Sequence, residues 1–143
     1  MLRGSVIRAA LLAVMLCAAG PLAAQGFGGV WQGRLTCDAV PGITQAPLAA
    51  PFTIRVDGVV AKYERPVLSA SGARTGAWER GEGRVGADGA LVLVGGSSGR
   101  GFHYRARYEG RLGADGEARF TGTQDWMLDD RDFTRVCAIE LRR

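Results

Sequence analysis

The chain has 143 residues, 47% of them hydrophobic and 22% charged, with 18 Lys+Arg against 14 Asp+Glu. That length holds one domain, and the apolar share excludes wholesale disorder. Beyond the N-terminus no apolar run reaches the roughly 18 residues of a spanning helix, which excludes a helical membrane bundle.

Residues 1–24 read as an address. Arg3 and Arg8 supply a positive start, Ala9 to Ala19 an apolar core, and Gly20-Pro21 a helix break. Ala23 and Ala24 then offer a small-residue cleavage point before Gln25. This is the pattern of a secretory signal peptide, too short in its apolar part to span a membrane. Cys17 follows Leu16, where a lipid-attachment site needs a small residue, so Cys17 belongs with the discarded core. The expected location is the periplasm or the secreted fraction, with no membrane span left after cleavage. The remaining domain, residues 25–143, loses two of the basic groups, so its formal net charge falls from +4 to +2.

That domain keeps Cys37 and Cys137. Two cysteines in an exported chain most simply form one disulfide. A redox or metal pair is the alternative, but the spacing matches no Cys-x-x-Cys motif and His103 is the only histidine. The bridge is expected to be structural.

From residue 29 onward the chain reads as short strands. Asp57-Gly58, Asp88-Gly89 and Asp115-Gly116 are hairpin turn signals, each flanked by alternating or β-branched residues. Splitting the chain there and at the Gly/Ser/Pro clusters predicts about eight strands, near 29–38, 51–57, 59–66, 75–85, 90–97, 101–112, 117–126 and 133–142. No stretch holds a helical period. An all-β, antiparallel, up-and-down arrangement follows, in which sequence neighbours pair.

Alternation assigns the faces. In the sixth strand Phe102, Tyr104, Ala106 and Tyr108 share one side, while His103, Arg105, Arg107, Glu109 and Arg111 share the other. Phe52, Ile54 and Val56 likewise oppose Thr53, Arg55 and Asp57. An apolar inside and a charged outside suit a barrel in water, the reverse of an outer-membrane barrel. If Cys37 lies directly opposite Cys137, then Leu35 faces Ile139, Gly33 faces Leu141 and Trp31 faces Arg143. First and last strands then pair, and the sheet closes into a barrel without edges.

Gly29-Val30-Trp31, opening the first strand, resembles the Gly-x-Trp motif of the calycins, the group of lipocalins, fatty-acid-binding proteins and avidins. The resemblance implies a barrel whose closed end holds Trp31 beside an Arg of the last strand. The register points to Arg143 for that role, with Arg135 as the second choice. It also implies that the Pro41–Pro51 stretch, with Gly42 and Pro47, is a long first loop over the mouth.

Catalytic chemistry is sparse. Ser97 and Ser98 precede His103, but no Gly-x-Ser-x-Gly elbow surrounds them, and His103 alternates to the outside. The carboxylates of Asp125, Asp129, Asp130 and Asp132 lack the order of a calcium loop and read as a solvated turn. Glu79 and Glu82 fall on opposite faces of one strand, against a shared acid/base site. No enzyme activity, metal or cofactor is expected, and the modest charge gives no reason to expect nucleic-acid binding.

Two readings follow. One is a binding module that holds a small apolar ligand inside the barrel against Tyr63, Tyr104, Tyr108 and Phe120. The other is a filled barrel, monomeric like the first, that binds an envelope protein, a secreted enzyme or an anionic envelope component through its outer face or loops, as an inhibitor would. Trp78 shares parity with Arg80, Glu82 and Arg84, which makes it an interface candidate. A register shift at Gly81 or Gly83 would instead turn it inward.

Overall fold

A computed structural model describes residues 26–44 and 46–143. The signal-peptide assignment for residues 1–24 lies outside them. Eight strands run in chain order: β1 (Gly29–Cys37), β2 (Leu48–Asp57), β3 (Val60–Leu68), β4 (Arg74–Arg84), β5 (Ala90–Gly99), β6 (Phe102–Leu112), β7 (Glu117–Leu128) and β8 (Arg131–Arg142). Each pairs antiparallel with the next, and β8 pairs back to β1, giving a closed up-and-down barrel. There is no helix among the described residues.

The closing register is the one that the cysteines imply. Cys37 opposes Cys137, Leu35 opposes Ile139 and Gly33 opposes Leu141. The Cys37–Cys137 disulfide therefore joins the first and last strands directly across the seam. Gly33 has a specific reason to be glycine, since a Cβ there would lie 1.9 Å from the Glu140 carbonyl oxygen. The bridge closes a loop of 100 residues, and the chain-entropy model gives such a loop about 4.7 kcal/mol. Reduction should accordingly lower the thermal midpoint on the order of 10–20 °C, as circular dichroism with and without reductant would measure. An unchanged midpoint would mean that the β1–β8 ladder needs no covalent support.

The three Asp-Gly turns all lie at one end of the barrel. Gly58, Gly89 and Gly116 take positive φ of 57°, 82° and 85°, conformations that a Cβ disfavours. This end is closed. Trp31 is fully buried there, its Nε1 donates to the Phe27 carbonyl at 2.9 Å, and the Arg143 guanidinium lies 5.3 Å from its ring centre. Arg143, and not Arg135, is thus the last-strand arginine against Trp31. The opposite end carries the β1–β2 connection, residues 38–47, and the β3–β4 connection, residues 69–73. These, with the two short turns beside them, rim an open mouth.

Parity holds around the barrel. Phe52, Ile54, Val56, Ala61, Tyr63, Tyr104, Ala106 and Tyr108 all point inward and are buried. Strand ends differ from the sequence reading by up to three residues, most at the start of β2. There Cys37 pairs with Leu48, so the ladder with β1 draws Leu48 and Ala49 into the strand. β3 reaches Leu68 past an irregularity between Pro66 and Leu68. β4 runs without a shift from Trp78 to Arg84 against β3, which leaves Trp78 outside and 42% exposed.

Candidate functional site

The interior has three levels. Nearest the closed end, Trp31, Ile54, Leu93, Leu112, Phe120 and Ile139 fill the barrel with apolar side chains, each at most 2% exposed. This half is occupied by the barrel's own side chains, in keeping with barrels of eight strands whose lumen is just wide enough for them.

The middle level is polar. Glu79, inward-facing on β4, has no solvent exposure. Its Oε1 accepts hydrogen bonds from the hydroxyls of Tyr63 at 2.8 Å and Tyr108 at 2.9 Å, and its Oε2 accepts one from Tyr104 at 2.6 Å. Arg65, its cross-strand partner on β3, completes an ion pair in which both side chains are buried. A buried carboxylate is tolerable only with this many partners. All three tyrosines of the chain are used in this way. Burial first, and then the Glu79 charge, push the pKa values of Tyr63, Tyr104 and Tyr108 well above the ordinary tyrosine range. Burial alone would lower the pKa of Arg65, but the adjacent Glu79 carboxylate outweighs it and the net shift is upward.

Glycine makes the geometry of this level fit. Tyr63 lies across Gly81, its partner on β4, where a Cβ would sit 2.3 Å from its ring. On β5 a Cβ at Gly95 would lie 2.4 Å from the Tyr63 hydroxyl. Side chains at either position would push the tyrosine off Glu79.

Gln124, on β7, carries the network upward. Its Nε2 donates to the Tyr108 hydroxyl at 2.7 Å, and its Oε1 accepts from Arg135 Nε at 2.8 Å and from Trp126 Nε1 at 3.1 Å. The Arg135 guanidinium lies over Trp126, 5.1 Å from the ring centre. Trp126 also stacks on Tyr104 at 4.0 Å and runs parallel to Phe133 at 5.8 Å. Above this aromatic floor lies the mouth pocket, about 660 Å³, walled by Leu48, Val67, Leu68, Phe102 and Leu128 and rimmed by Thr44, Ser69 and Thr75. The β1–β2 loop over it includes Ile43, Ala46 and Pro47, in the place expected for a long first loop.

The aromatic residues read from the sequence as ligand contacts therefore divide. Tyr63, Tyr104, Tyr108 and Phe120 are inside the barrel, but none of them lines the mouth pocket. Their positions hold Glu79 or fill the closed half. The pocket belongs to Phe102, Trp126, Phe133 and Arg135, of which alternation along the sixth strand marks Phe102 as inward.

Ser98, His103 and Asp125, candidate groups of the sequence, lie on the outer face. Ser98 Oγ and His103 Nδ1 are 2.8 Å apart, but they are a cross-strand pair on the exposed face, and no carboxylate bonds the ring among the described residues. Asp125 accepts from Thr134 at 2.7 Å on the outside of the β7–β8 hairpin. Among the described residues no cluster of three or more His, Cys, Asp or Glu side chains is placed to hold a metal ion. No protein-family model matches the chain, and no curated protein matches it in sequence. The eight-stranded closed barrel is compatible with a lipocalin-like fold.

Proposed function

We propose that this protein is an exported, non-enzymatic binding module of lipocalin-like outline that takes a small, mainly apolar ligand at the mouth of its barrel. The observation that carries this reading is the mouth pocket. It is concave, walled by aliphatic side chains, and floored by Trp126, Phe102 and Phe133. Its volume of about 660 Å³ falls within the range of small-molecule sites. The floor is held rigid by stacking and by the Gln124 hydrogen bonds, so little ordering is left to be done on binding. The disulfide is consistent with an oxidising compartment, and hence with periplasmic or secreted residence.

Native mass spectrometry of the protein taken from the exported fraction without refolding tests this directly. A bound small molecule released on denaturation is the expected result. A bare monomer that also fails to take up any hydrophobic dye would remove the reading.

A second reading rests on the outer face. Trp78 and Val94, 42% and 53% exposed, flank a groove across β2–β5 with Arg80, Lys62 and Glu64. An exposed Trp among charges is a common anchor at protein interfaces. Under this reading the protein docks on an envelope protein or secreted enzyme. Trp78→Ala should then leave the unfolding free energy within about 1 kcal/mol of wild type while weakening capture of the partner at least tenfold. Equal capture by both proteins would rule out Trp78 as the anchor.

A further inference from the structure

Three charged side chains are buried among the described residues: Arg65, Glu79 and Arg135. Glu79 is the partner of Arg65. Arg135, at 8% exposure, is left without a carboxylate in ion-pair range among the described residues. The three tyrosines beside it cannot compensate, because their hydroxyls stay neutral and already donate to Glu79. The interior therefore carries one net positive charge, placed in the floor of an apolar pocket. Burying an unpaired charge is costly, and a fold has no structural need to accept that cost at the base of an open pocket.

The orientation of the group is also specific. Nε is committed to Gln124, and the guanidinium carbon is held over Trp126. The side chain lines the mouth pocket. Its two Nη groups, beyond the committed Nε, are a fork that can bind a carboxylate through two parallel hydrogen bonds. Burial, and then the charge of Arg65, disfavour the cationic form of Arg135, and both effects would be relieved by an anion.

We infer that the natural ligand of the mouth pocket is an amphipathic monoanion, its carboxylate paired with Arg135 and its apolar body lying against Leu48, Val67, Phe102, Leu128 and Phe133. This rests on the small-ligand reading above and adds the head-group class to it. The same argument disfavours cationic amphiphiles, which would meet Arg135 without a counter-charge.

The test uses three probes with the same ten-carbon chain: decanoate, decanol and decyltrimethylammonium, titrated calorimetrically into the full-length mature protein below their aggregation concentrations. Decanoate should bind at least tenfold more tightly than decanol, the discrimination expected of one charge-assisted hydrogen-bonded pair, and the cation should bind least. Arg135→Lys, which keeps the charge but not the fork, should retain part of the preference. Arg135→Met should bring decanoate down to decanol, and its binding of decanol serves as the check that the pocket is intact. Equal affinity for decanoate and decanol in the wild type overturns the anionic-head inference and leaves the apolar-ligand reading standing. Failure of all three probes overturns both. A preference for decanoate that survives in Arg135→Met would place the anion elsewhere and also overturn the inference.

Discussion

Replacing Glu79 by Ala should cost the barrel about 3–5 kcal/mol, the usual result of removing one partner from a buried ion pair. The substitution leaves Arg65, 3% exposed, as an uncompensated cation. It also takes the acceptor away from three buried tyrosine hydroxyls at once. In thermal unfolding followed by circular dichroism the midpoint should fall on the order of 10–20 °C. Glu79→Gln should cost less, since an amide oxygen can still accept from Tyr104 or Tyr63. The informative comparison is the double variant Arg65→Met/Glu79→Leu. Replacing both members of a buried pair by apolar groups of similar volume is often neutral or stabilising, so the part of the loss due to the stranded Arg65 cation should be recovered, while the three tyrosine hydroxyls stay without their Glu79 acceptor. A Glu79→Ala protein within about 1 kcal/mol of wild type would mean that the carboxylate is not fixed by Arg65 and the three tyrosines.

This polar centre is also where the sequence was least legible. Alternation placed the tyrosines inward and Trp78 outward, and the cysteine pairing set the β1–β8 register through Leu35 and Gly33. Those inferences work because strand parity is a geometric fact and a disulfide between paired strands fixes one register. Parity by itself gives no reason to expect the buried charges of Glu79, Arg65 and Arg135, because a reading by polarity assigns charges to water. β4 made the failure easy. Its inward positions are Ala77, Glu79, Gly81 and Gly83, with no large apolar residue to mark the phase. One signal was present. Three tyrosines directed inward need three hydrogen-bond partners, and an interior otherwise of Val, Leu, Ile and Phe supplies none. A buried acceptor was therefore required, and the carboxylate on the Gly-rich strand was the one with space around it. The mouth pocket could not be found this way, since it depends on how the 38–47 and 69–73 connections lie over Trp126.

The composition provides a second large effect, because Tyr63, Tyr104 and Tyr108 are the only tyrosines in the protein. Alkaline titration read at the phenolate absorbance therefore reports the polar level alone. In the unfolded chain these groups ionise near pH 10. In the barrel, burial and the Glu79 charge raise all three pKa values above that range. A raised pKa in the folded state means that the native protein holds protons that the unfolded chain has released. The stabilisation is then fully present below about pH 10 and is lost as pH rises beyond it. With three such groups, stability should drop by about 4 kcal/mol per pH unit above pH 10. The chain has a single lysine, Lys62, and Cys37 and Cys137 are joined in the disulfide, so the slope can be assigned to the tyrosines. The absorbance change should stay absent through pH 10.5 and then appear in one cooperative step, coincident with loss of the β-sheet circular dichroism signal. Rapid pH jumps keep the disulfide intact during the measurement. If one or more tyrosines ionised near pH 10 while the sheet signal held, that hydroxyl would be in contact with water rather than with Glu79, and the middle of the barrel would be open.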